Sequence, residues 1–174
     1  QAMSLRGWVL VACGQGEEGI TQIHQGLAAY RATGVARDRP YYLALLAEAS
    51  IQTGRSAAGL EALGEALATL VTSGGYWWEA ELHRLKGELL LAHKDAKSKW
   101  VEAAECFCQA RAVARRQQAK SLELRVAMSL SRLWQLQGKK NEARQMLSEI
   151  YGWFTEGFDT KDLQEAKALL EELN

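Results

Sequence analysis

Along the chain, small and large apolar residues recur on one helical face in a small–large–small order. Within residues 101–114 the order is Ala103, Phe107, Ala110, at steps of four and three that return to a single stripe of an α-helix. The same order stands at Gly19, Ile23 and Gly26 and at Gly59, Leu63 and Ala66. It returns at Ala143, Leu147 and Ile150 with a larger last residue. The first members lie 40, 44 and 40 residues apart. Self-similarity at that period is the mark of a helical solenoid. In three of the repeats a glycine (Gly14, Gly54, Gly138) precedes the small residue by five positions, where a left-handed turn after a helix is free of steric cost. The third repeat replaces it with a longer turn, His93 to Ser98.

The pattern predicts an all-α chain of four helix pairs, repeats at about 1–35, 36–74, 75–119 and 120–158, and a capping helix over 160–173. Ser4 is a candidate cap for the first helix. Asp38 is one for the third helix, with Pro40 in its first turn, and Ser121 for the seventh. Ser73-Gly74-Gly75 is the clearest break, followed by a long helix from about Tyr76 to Ala92 and its partner from Ser98 to Gln117. The eighth helix is expected over about Asn141 to Phe154. The last holds Leu163, Ala166, Leu170 and Leu173 on one face and charge on the other, as the terminal cap of a solenoid requires. Gln1 stands where an initiator methionine is expected, which reads as a piece of a longer protein.

These marks resemble the tetratricopeptide repeat. Gly87, Ala103, Phe107 and Ala110 match its signature best, Ala47 with Gly59, Leu63 and Ala66 matches well, and Ser131 and Ile150 depart from it. The resemblance implies a right-handed α–α superhelix with a concave groove lined by the first helix of each pair. The long-helix form, with segments such as residues 79–91, 109–117 and 151–163, is similar to the C-terminal regions of bacterial multidomain signalling proteins. In these a cyclase-like or kinase-like module and a signal-transduction ATPase precede the repeats. That resemblance implies a cytoplasmic regulatory or scaffolding array.

Composition narrows the partners. Of 174 residues 48% are hydrophobic and one is proline, and 21 basic residues balance 21 acidic ones. A formal charge of zero gives no electrostatic reason to expect nucleic acid or an anionic membrane as partner. The longest apolar runs are far short of the ~20 residues that span a bilayer. The glycines are spread along the chain, and no Gly-Lys-Ser/Thr phosphate loop occurs. His83 with Glu79 and Glu88 reads as a solvated helix face, since zinc wants three or four convergent ligands. Cys106 and Cys108 point about 200° apart on a helix and with Cys13 make an odd count, so free buried thiols are expected. The expectation is a chain without catalytic residues, metal or cofactor.

Binding candidates come from the aromatics and the groove. Tyr76-Trp77-Trp78 cannot all point inward at 100° per residue, so the reading divides between junction filler and exposed anchor. The cluster of Tyr151, Trp153, Phe154 and Phe158 is expected to dock the capping helix. Family groove positions fall on Ser4 and Trp8, on Tyr41, Ala44 and Glu48, on Glu81, Arg84 and Glu88, and on Arg125, Met128 and Arg132. The wall is thus acidic in the middle and basic in the fourth repeat, which either orients a partner of mixed charge or is solvated. The function expected is interaction with a protein or peptide in that groove. The alternatives are intramolecular restraint of an ATPase or cyclase-like domain and a small-molecule sensor.

Overall fold

The computed structural model describes residues 2–73, 76–93 and 95–174. The Gly74-Gly75 break and Lys94 of the long third turn lie outside the described residues. The helices are α1 (Ala2–Ala12), α2 (Gly16–Ala32), α3 (Arg39–Gln52), α4 (Ser56–Ser73), α5 (Glu79–Leu91), α6 (Trp100–Arg116), α7 (Lys120–Leu136), α8 (Lys140–Tyr151) and α9 (Lys161–Glu172). Short 3-10 helices at Tyr76–Trp78 and Ala96–Lys99 lead into α5 and α6; the first replaces the start of the helix expected from Tyr76, and the second spans the end of the expected turn and the first residues of the helix expected from Ser98. Consecutive helices pair as α1·α2, α3·α4, α5·α6 and α7·α8. The odd helices then pack in succession, α1 to α3 to α5 to α7 to α9, forming one continuous inner wall.

The periodic stripe is what closes each pair. Ile23, Leu63, Phe107 and Leu147 are all fully buried at 0% exposure. The small residues beside them let the backbones approach. A Cβ on Gly7 would lie 2.8 Å from both Ile23 N and Ile23 Cγ1, and one on Gly87 would lie 2.7 Å from Phe107 Cζ. Gly14, Gly54 and Gly138 take φ of +85°, +69° and +78°, so the chain reverses between paired helices without strain.

Several local expectations change. Ser4 and Ser121 lie inside helices, with Ala119 and not Ser121 at the start of α7, and Asp38 occupies its cap position without a side-chain hydrogen bond. The eighth helix ends at Tyr151, three residues before Phe154. In α9 the buried face is Leu163, Ala166, Leu169 and Leu173, with Leu170 half-buried beside them. Only Cys106 of the three free thiols is buried, because Cys13 lies in the turn after α1 and Cys108 faces away from the stripe. The core divides into a front half around Leu63 and Leu85 and a rear half around Phe107 and Leu147, with Leu60 touching both. At the front, Met3, Leu5 and Val9 of α1 are exposed, whereas their counterparts 40 residues on, Leu43, Leu45 and Ala49, are buried.

Candidate functional site

The inner wall is built by residues spaced four and three apart on the odd helices, and its polar groups bond to one another between repeats. Trp8 of α1 donates its Nε1 proton to Glu48 of α3 at 2.8 Å. Tyr41 of α3 stacks on Trp78 at 4.5 Å between ring centroids, with the planes 26° apart. Trp78 is half-buried in that stack while Trp77 is 63% exposed, so the pair divides into filler and exposed ring. Gln117, just past the end of α6, donates to the Tyr76 carbonyl oxygen at 2.6 Å and holds this corner from the other side.

The centre of the wall is an ionic network. Arg84 grips Glu81 with both ends of its fork, Nη2 to Oε1 at 2.7 Å and Nε to Oε2 at 2.9 Å, and reaches Glu88 at 3.3 Å. Arg125 of α7 donates to Glu81 at 3.3 Å, and Ser129 donates to Glu88 at 2.5 Å. Glu81 is buried at 7% exposure. Burial alone would raise its carboxyl, but the hydrogen bonds and charge of Arg84, with Arg125 behind, outweigh that and hold it below the usual range. For Arg84 burial works to lower the guanidinium, and Glu81, Glu88 and Glu48 drive it higher still. At the far end Arg125 meets Asp162 at 3.1 Å and Arg132 meets Glu165 at 3.6 Å, both on α9.

Two expectations about this wall are corrected. Met128 does not line it. Arg125, Ser129 and Arg132 share the inner stripe, and Met128 is turned off it into the rear core at 3% exposure. Ala44 and Ser4 are likewise buried, at 5% and 1%. Nor do the acidic middle and basic fourth repeat stand as open opposite charges. Arg84 sits between its two glutamates and Arg125 crosses to Glu81, so the wall neutralises itself. Ser129, Asp162 and Glu165 complete the network without having been legible as members. For the two acids the only signal is that α9 follows the spacing of a fifth inner helix.

Glu79 pairs with Arg116 and Glu88 with Arg84, so neither carboxylate is held for His83. Burial pushes the His83 imidazole down, against a smaller upward pull from Glu79. Among the described residues no three His, Cys, Asp or Glu side chains converge as a metal site, and no helix is long and apolar enough to cross a membrane. The rear aromatics divide too. Tyr151 and Phe154 pack on the core beneath α9, while Trp153 and Phe158 stay largely exposed.

The arrangement of helix pairs matches that of TPR-like repeat proteins. A Podosopora anserina protein described as a putative kinesin light chain with nearly identical TPR-like repeats superposes with a TM-score of 0.69 at 16% identity, over 99% of this chain and 83% of that one. TTC0263, a thermophilic TPR protein of Thermus thermophilus, gives 0.69 at 20% identity over 98% of this chain and 79% of that one. No protein-family model and no curated protein matches the chain. The fold is therefore an all-α, TPR-like solenoid.

Proposed function

We propose that the chain is a non-catalytic interaction module that takes a protein or peptide partner on its inner wall. The observation that carries this reading is Trp77, a large ring 63% exposed beside the Tyr41–Trp78 stack. Exposed aromatics next to a preorganised aromatic surface are the residues that anchor protein interfaces. Because the wall's charges already pair with one another, recognition rests on that anchor and on the rim arginine Arg132, at a side-chain exposure of 48%, more than on long-range steering.

We place the array in a cytoplasmic bacterial signalling protein, as the resemblance of residues 79–91, 109–117 and 151–163 suggests, with its own ATPase or cyclase-like region as the second candidate partner. The test is affinity capture with wild-type protein and with Trp77→Ala, followed by calorimetry with the purified partner. A partner retained by the wild type and lost by the variant supports the reading. Equal retention by both removes Trp77 as the anchor and with it the observation on which the reading rests. Binding of the purified ATPase-containing region in trans would make the partner internal.

A further inference from the structure

The outer side of the fold carries a cleft that the inner-wall reading does not use. It lies between α6, the start of α7 and the end of α8, has a volume of about 670 Å³, and is lined by Arg111, Arg115, Lys120, Glu123, Glu149 and Trp153. Its size is that of a small-molecule site. At its floor Glu123 is buried at 2% exposure. Arg115 reaches its carboxylate at 2.5 Å, Lys120 at 2.9 Å and Arg111 at 3.9 Å. Burial would raise the Glu123 carboxyl, and the hydrogen bonds of Arg115 and Lys120 hold it low, so it is ionised.

Three cations face two carboxylates, Glu123 at the floor and Glu149 at the rim, which leaves one positive charge unbalanced. Glu149 is exposed and forms no ion pair among the described residues, so its charge is a repulsive element at the rim for any anion that enters. The Nε–H of Arg111 is buried and lacks a hydrogen-bond acceptor, which costs free energy in a folded protein unless something else accepts it. Lys120 also lies 5.7 Å over the Trp153 ring, and that indole, 57% exposed, forms an apolar side of the opening.

The corresponding cleft 84 residues earlier shows that this charge pattern is not imposed by the repeat. There the equivalents of Arg115, Glu123 and Glu149 are Arg31, Arg39 and Glu65. The two arginines share the one glutamate, over a floor that includes Leu27, Leu43 and Leu46. In the rear cleft the rim glutamate is kept as Glu149, a second carboxylate, Glu123, stands inward on α7 in place of an arginine, and the cations surround a larger space.

We propose that the rear outer cleft binds a small organic phosphate. The phosphate is held by Arg111, Arg115 and Lys120, and a flat organic part rests against Trp153. A phosphate monoester carries about −1.5 to −2 charges at neutral pH, which the three cations share with Glu123, and its oxygens can accept from the half-exposed end of Arg115 and from Lys120 Nζ.

The experiment is calorimetry of the wild-type protein at low ionic strength with adenosine 5′-monophosphate, phenyl phosphate and inorganic phosphate. The organic phosphates are expected to bind with Kd below about 1 mM. Lys120→Gln weakens them about fivefold, the scale of one partly exposed charge pair, and Glu149→Gln, by removing a like charge at the rim, strengthens them two- to fivefold, roughly. Trp153→Ala lowers the organic phosphates to the affinity of inorganic phosphate. Circular dichroism melts verify that each variant is folded, and a misfolded Lys120 variant leaves Glu149→Gln as the deciding arm. Absence of binding by all three ligands up to about 5 mM, or affinities unmoved by Glu149→Gln, would overturn the proposal.

Discussion

Replacing Gly87 by alanine tests the packing logic of the whole array, because helix propensity and packing pull in opposite directions there. Gly87 is buried in the middle of α5, where alanine is worth about 1 kcal/mol more than glycine in helix propensity. The added methyl would meet the Phe107 ring of α6, at 2.7 Å from Cζ and 2.8 Å from Cδ1. That ring is fully buried and has no flexible end to swing aside, so the overpacking cost falls near the top of the usual range, about 3 kcal/mol. The expected net loss is about 2 kcal/mol.

Phe107→Ala alone should cost about 3–5 kcal/mol. In the Phe107→Ala background the clash is gone, and Gly87→Ala should stabilise by about 1 kcal/mol, giving a coupling near 3 kcal/mol across the cycle. Urea unfolding followed by far-ultraviolet circular dichroism, with midpoints compared at a shared slope, reads all four proteins. Gly87→Ala with the same sign in both backgrounds would refute the reasoning.

Three further outcomes are expected. The Glu81 and Glu123 carboxyls are held below their ordinary range, so their stabilisation is complete above the usual glutamate value of about 4.3 and is lost as pH falls through their folded values; Glu81→Gln should flatten that part of the stability–pH curve. Trp77→Ala should change stability by less than about 0.5 kcal/mol, whereas Trp78→Ala should cost about 2 kcal/mol by removing the Tyr41 stack; equal losses in thermal melts would show that the two rings are not divided as described. Deleting the chain from Asp159 onward removes the buried Leu163, Leu169 and Leu173 and the acids paired with Arg125 and Arg132. It should lower stability by at least about 2 kcal/mol and promote self-association, and a monomer of unchanged stability on light scattering would contradict the capping role of α9.

Repeat period, helix pairing and the buried stripe were legible in the sequence because they are near-chain information. Residues three and four apart share a helix face whatever the helix packs on, and the glycines at 14, 54 and 138 announce their left-handed turns by identity alone. The inner wall was legible only as a set of positions. That Glu81 meets Arg125 44 residues away, that Ser129 reaches Glu88, and that Arg125 and Arg132 face acids on α9 depends on the rotation of each helix about its axis and its offset from its neighbour. The same angular phase sends Met128 into the core between inward-facing Arg125 and Arg132, and the 3-10 turn at residues 76–78 decides which of two adjacent tryptophans is half-buried against Tyr41. Periodicity fixes which residues lie on one face of a helix. Only the packing of one repeat on the next fixes what that face meets, and so turned a wall of opposed charges into one that is largely self-neutralised.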